Sequence, residues 1–192
     1  GRFVGVLPFV QVKSRLFGNL ACSMPFVNFG GPCGDSQDIE AMLLDAAAAI
    51  VSRERFSYLE FRNRRRLGFG LPTAEHKVSM TVDLAPDPET LWKAFKHQHR
   101  QEIRRGAKNG LAARFGGAEL LDAFFMVLSE GWRDLGTPLY AKPYFRAILR
   151  HFPDAIRICL VCSGEEPAAA ALYATHGGVA EGMWLGVHRR FR

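Results

Sequence analysis

Apolar positions along the chain recur with two periods, and the switches between them outline the expected elements. Residues 3–13 are dense in Val, Leu and Phe and read as a buried strand with Pro8 inside it. Proline offers no amide donor, so this strand is expected at a sheet edge or bulged at Pro8. Residues 20–29 form a second apolar run, interrupted by Pro25, and lead into a glycine-rich turn over 28–34. A helix follows. Asp35 or Ser36 is placed to cap it, Asp38 and Glu40 lie in its first turn, and Met42, Leu43, Ala46, Ala49 and Ile50 mark its apolar face. Residues 58–61 read as a short strand. Residues 76–84 alternate through Val78, Met80, Val82 and Leu84, as a half-exposed strand does.

Asp87 and Pro88 have the chemistry of an N-cap and first helical residue, and the spacing predicts one helix to Lys108, stopped by Asn109 and Gly110. Further helices are predicted over about 118–135, ending at Gly136, and about 143–151. Three strands close the chain, at 155–162, 168–175 and 179–187. The turns between them are short, which predicts antiparallel hairpins. The fold class is therefore α+β, a mixed and largely antiparallel sheet with flanking helices. From residue 76 the order is strand, helix, helix and three strands; from residue 3 to 61 it is strand, strand, helix, strand.

Composition narrows the function classes modestly. With 25 Lys+Arg against 19 Asp+Glu, the formal charge of +6 favours an anionic partner. No run reaches the roughly 20 apolar residues of a membrane span, and the start lacks a signal-peptide layout. A cytoplasmic location is expected. Cys159 and Cys162 have C-x-x-C spacing, but on a strand residues three apart face opposite sides, so free thiols are expected rather than a metal or redox pair. The chain opens within one predicted strand, without an initiating Met, and closes just after another. It reads as a piece of a longer protein.

Several motifs carry a family resemblance. Gly5-Val6-Leu7-Pro8, Val12-Lys13-Ser14-Arg15-Leu16-Phe17-Gly18, Pro25-Phe26 and Gly30-Gly31 resemble the first domain of FemAB-like proteins, especially the branch associated with exosortase (PEP-CTERM) and exopolysaccharide loci. Tyr58 through Asn63, Arg100 through Leu111, and Leu135-Gly136-Thr137-Pro138 followed by Tyr144-Phe145 are similar to the same branch. The resemblance implies two tandem GNAT-like N-acyltransferase domains, whose full order is β–α–α–β–β–β–α–β. Residues 1–75 would be the C-terminal part of the first and 76–192 the N-terminal part of the second, two incomplete copies. It also implies transfer of an acyl or aminoacyl group to an amine-bearing precursor in cell-envelope, peptidoglycan or exopolysaccharide metabolism. The donor would be acyl-CoA or aminoacyl-tRNA, with no tightly bound cofactor.

The candidate site residues divide into three groups. Lys13, Arg15, Asn28, Gly30 and Gly31 are candidate substrate contacts, the last three on a turn before a helix where amides and the helix dipole attract anions. Ordinary capping accounts for Asp35, Asp38 and Glu40 there equally well. Thr137, Tyr140 and Tyr144 lie on a loop that could orient an acceptor through hydroxyl hydrogen bonds. Lys93, Lys96, Arg100, Arg104 and Lys108 form a basic stripe on the predicted 88–108 helix, either a solvated face or a contact for phosphates; Arg100, Arg104 and Lys108 are the candidate anion or nucleic-acid contacts. His99 falls on the apolar edge of that helix as a packed side chain. Arg65-x-x-Gly68-x-Gly70 matches an acyl-CoA loop pattern but is followed by Pro72 and a strand-like run, so a basic loop is the better reading. No nucleophile triad is visible, and amine attack on an activated carbonyl requires none. Glu60 and Asp134 are possible bases, and the sequence singles out neither. A non-catalytic GNAT-like module that binds an anionic polymer or a partner protein is the competing reading.

Overall fold

The structure, a computed structural model, describes residues 1–16, 18–25, 27–75 and 78–191. Phe17 and Phe26 of the family motifs, His76 and Lys77 of the predicted strand, and the terminal Arg192 lie outside them. The chain divides into two compact units, Gly1–Val82 and Asp83–Arg192.

In the first unit the predicted 3–13 strand is two strands in two sheets: β1 (Gly5–Val6) and β2 (Val10–Ser14). Pro8 sits in the break, where its missing N–H cannot join a ladder. β2 pairs antiparallel with β3 (Gly18–Cys22), and β1 with β4 (Cys33–Gly34). Helix α1 (Gln37–Arg53) follows, and β5 (Leu59–Glu60) joins β3 in parallel. The cap of α1 is Ser36, whose hydroxyl accepts the Ile39 amide at 3.3 Å. The inward face of α1 differs from the expected one. Met42, Ala46 and Ala49 are exposed, whereas Glu40 and Ala47 are buried and Ile39, Leu43 and Ile50 half-buried. Strands β1 and β4 steer this, because Gly5 and Gly34 leave room for Ile39: a Cβ at either would lie 2.6 or 2.9 Å from its Cγ2.

Residues 78–84 are not a strand. Val78 and Met80 are 83% and 90% exposed. Alternation gives a strand one apolar face, but a strand also needs a ladder partner for its amides and carbonyls, and this segment joins no sheet among the described residues.

In the second unit the predicted 88–108 helix is two helices, α2 (Pro88–Ala94) and α3 (His97–Lys108), with Phe95 and Lys96 extended between them. Asp87 caps α2 as expected, accepting the Thr90 amide at 2.8 Å. An unpredicted strand, β6 (Leu111–Gly116), comes next. After one 3-10 turn (Ala118–Leu120) come α4 (Leu121–Asp134) and α5 (Lys142–His151), then β7 (Ile156–Ser163), β8 (Glu166–His176) and β9 (Val179–Val187). These four strands form one antiparallel sheet in the order β6-β7-β8-β9. The turn between β8 and β9 is Gly177-Gly178, both at positive φ, the two-residue geometry that suits the twist of a hairpin. The β–α–α–β–β–β order thus starts at β6, one strand later than residues 76–84.

α4 and α5 lie against one face of this sheet. Phe124, Leu128, Phe145, Ile158, Leu160, Leu172 and Trp184 fill the space between. Cys162 packs against this core while Cys159 lies on the other face, so the two thiols stay apart and free. Burial raises the pKa of the Tyr173 hydroxyl, beside Cys159 on that far face. The fold is α+β, with five α-helices among the described residues. No helix there is long and apolar enough to cross a membrane.

Candidate active site

Strand β9 is an edge strand, and it is irregular. Leu172 of β8 opposes Trp184 and Tyr173 opposes Gly182, so Met183 has no opposite residue. Such a bulge bends a strand and re-aims its backbone groups, and bulges are frequent beside active sites. The side chains around it are aromatic. Trp184 is met edge-on by Tyr144 at 5.8 Å, Phe145 at 5.4 Å and Tyr140 at 6.4 Å, and Tyr140 and Tyr144 are 5.0 Å apart. Trp132 of α4 stands 6.4 Å from Tyr140 and donates its indole N–H to the Leu185 carbonyl at 3.0 Å. Edge-to-face packing matches ring quadrupoles and fixes these rings in place. Burial raises the pKa of the Tyr144 hydroxyl, and Tyr140 adds to the shift. At neutral pH it is therefore a neutral donor and acceptor.

The loop from α4 to α5 delivers the two tyrosines to this spot. Gly136 turns the chain at φ 68°, and the amides of Gly136 and Thr137 close on Arg133 and Trp132 carbonyls. Thr137 remains at that exposed helix exit, so of the three expected loop residues Tyr140 and Tyr144 come together and Thr137 does not join them.

The helix-to-sheet approach is closest at two glycines. A Cβ on Gly186 would lie 3.0 Å from Leu128 Cα, and one on Gly131 would lie 3.4 Å from Gly186 Cα. This contact brings Glu130 of α4 to His188, the residue after β9, at 3.0 Å between Oε2 and Nε2. The pairing was not legible in the sequence, because the residues are far apart in it and neither belongs to a motif. Of the bases considered there, Glu60 accepts from Arg62 Nε at 2.8 Å, and Asp134 ends α4.

The other expected site residues fall elsewhere. Lys13 lies on β2 opposite Asn19, and Arg15 follows on an exposed turn. The 28–34 turn passes through β4 and Asp35 before α1 begins. The Gly30 amide bonds the Arg62 carbonyl at 2.8 Å, and the place of a Gly31 Cβ is taken by the Asn63 side chain. These glycines make room for neighbours within the unit, and a bulky Gly31 variant would displace Asn63. Asn28 lies earlier on the same turn and is itself engaged in an interaction. Arg65 holds both carboxylate oxygens of the buried Glu40, at 2.6 and 2.7 Å, which accounts for it without an acyl-CoA loop. Arg100 bonds the Lys93 carbonyl at 2.9 Å, and Arg104 stacks over the Trp92 ring at 5.3 Å. Both therefore brace the α2–α3 junction, and Lys93 pairs with Glu89 at 2.8 Å. Lys108 and His99 are exposed. Among the described residues no cluster of His, Cys, Asp and Glu is arranged to hold a metal.

A four-stranded antiparallel sheet with two helices on one face and a bulged edge strand makes an α+β domain. Residues 93–192 match the family described as acetyltransferase (GNAT) domain, and the chain belongs to that family. No curated protein matches the chain. Among solved structures it is similar to a GNAT family acetyltransferase from Staphylococcus aureus subsp. aureus USA300_TCH1516, at 13% identity and a TM-score of 0.32, covering 43% of this chain and 66% of that one. The chain thus spans just under two thirds of that structure. The likeness is too slight to bear on function.

Proposed function

We propose that the chain is part of a FemAB-like N-acyltransferase, closest to the exosortase-associated branch. It would move an acyl or aminoacyl group from acyl-CoA or aminoacyl-tRNA to an amine in cell-envelope, peptidoglycan or exopolysaccharide metabolism, in the cytoplasm. Gly1–Val82 would then belong to a first GNAT-like domain and Asp83–Arg192 to a second. The observation that carries the reading is the bulged edge of β9 beside the Tyr140–Tyr144 rim, within a match to an acetyltransferase family. Acyl transfer to an amine needs the carbonyl held by backbone donors and the amine held in line with it. The bulge re-aims backbone groups of β9, and the tyrosines supply hydroxyls at its side. The amine nitrogen forms the new bond to the carbonyl carbon, the bond to the donor's leaving group breaks, and the amine proton passes to solvent or a nearby base.

The test is release of free thiol from acetyl-CoA and longer acyl-CoAs with a panel of amines. Amine-dependent release that falls at least about tenfold, or about 1.4 kcal/mol in barrier, in Tyr140→Ala with Tyr144→Ala is the expected result. Equal release by the double variant would refute this site. The second reading, an anionic-polymer module, draws on α3, which buries no residue, bears Lys108 at its end and follows directly on Lys96. It predicts binding that weakens steeply with salt and no acyl turnover.

A further inference from the structure

The junction between β9 and the turn that follows it contains a histidine whose two ring nitrogens are both engaged. His188 Nε2 lies 3.0 Å from Glu130 Oε2, and both side chains are 23% exposed. Its Nδ1 accepts the Arg190 amide at 3.3 Å. An imidazole that accepts at Nδ1 is unprotonated there, so the bonding pattern assigns the tautomer with its hydrogen on Nε2, donating to Glu130.

We propose that His188 is a positioning residue that latches the turn Arg189–Phe191 to the end of β9 and releases it when the ring takes up a proton. The added hydrogen goes to Nδ1, where it meets the Arg190 N–H, donor against donor, and that bond is lost. The bond to Glu130 becomes charge-assisted and strengthens. The ring therefore stays with α4. Its backbone is also held, because the His188 amide bonds the Ala168 carbonyl at 2.8 Å and the Gly131–Gly186 approach leaves α4 little room to move. The part that gives way is the Arg190 amide, while the Phe191 amide keeps its bond to the His188 carbonyl at 2.9 Å.

The charged groups around the ring are Glu130 from α4 and Arg190 from the turn, with Glu166 of β8 behind Arg190 at 2.9 Å. Phe191 covers the ring at 5.9 Å with no charge. The Glu166 contact tethers the Arg190 guanidinium in both states, so release loosens the turn's backbone without freeing the segment. The device is independent of which acyl donor the protein uses.

The experiment is nitrogen-15 NMR of the intact chain from about pH 8 to 5, following the His188 ring nitrogens and exchange of the Arg190 amide. At the upper end the expected ring is the Nε2–H tautomer with a protected Arg190 amide. As the ring protonates, that amide should exchange about tenfold faster, with the same midpoint as the ring. His188→Gln should abolish the transition. An Nδ1–H tautomer, or Arg190 protection unchanged through the ring's titration in the unmodified chain, overturns the proposal.

Discussion

In Asp83–Arg192 the buried side chains are large and apolar: Phe124, Phe145, Leu128, Ile158, Leu160 and Leu172 form one cluster with Trp184. Among the described residues of Gly1–Val82 the buried positions are Ala21, Cys22, Pro32 and Ala47 together with Ser23 and Glu40. There the structure is tied by directional bonds. The Ser23 hydroxyl accepts the Arg62 amide at 2.9 Å, Arg62 reaches the Pro25 carbonyl at 2.8 Å, and Arg65 holds Glu40. A large apolar core spreads its stabilisation over many weak contacts and tolerates conservative change. A polar clamp concentrates it, since removing one partner leaves the other buried without its bond. The second unit can therefore hold a bulged strand and an aromatic rim in fixed geometry, whereas the first depends on a few arginines.

The comparison is broken most severely by Phe145→Ala, which removes a fully buried ring that touches Phe124, Tyr140, Tyr144 and Trp184. A loss of about 3–5 kcal/mol is expected, read by urea unfolding monitored at amides of β7 and β8. Amides of β2 and β3 should unfold at unchanged denaturant. Gly186→Ala comes next. Its Cβ would meet Leu128 Cα and the Val127 carbonyl at 3.0 and 3.1 Å, so α4 must shift at a cost of about 1–3 kcal/mol. Nuclear Overhauser contacts between Glu130 and His188 should weaken with it.

Arg65→Ala probes the other style of construction. Glu40 is only 8% exposed at its side chain while the guanidinium is largely solvated, so about 1–2 kcal/mol is expected from the first unit alone. Adding Glu40→Gln to that variant should restore part of it, because the carboxylate left without its cation is then gone. The smallest effect concerns Asp87. Its carboxyl is held below the usual aspartate value by the Thr90 amide and hydroxyl. A depressed folded-state pKa contributes stability that is present above the unfolded value, about 3.9, and is lost as pH falls through the folded value. Exchange of the Thr90 amide should accelerate over that acid range in the parent and show no such step in Asp87→Asn.

How much was legible in the sequence follows the same division. Strands β7 to β9 and helices α4 and α5 were readable because apolar periodicity and turn glycines agree there with tertiary packing. Strand β6 was missed: Leu111, Ala113 and Phe115 alternate, but the run is short and small-residued between two glycine stops. Residues 78–84 alternate more strongly and pair with nothing, since period alone cannot supply a ladder partner. The break after Ala94 was hidden because no Pro or Gly marks it; Arg100 on the Lys93 carbonyl is a tertiary cause. At the candidate site, the sequence placed Tyr140 and Tyr144 on one loop, and the structure brings their rings together. Met183, Trp132, Glu130 and His188 were not, because a bulge and a contact between α4 and β9 leave no local pattern.

The most direct measurement is amide hydrogen exchange of the intact chain with and without saturating acetyl-CoA. The account predicts that added protection gathers on Val179–Val187 and on the 135–144 loop, with little change in β2, β3 and α1. Protection confined to the 28–34 turn and α1, or absent from β9 while the donor is bound, would contradict it.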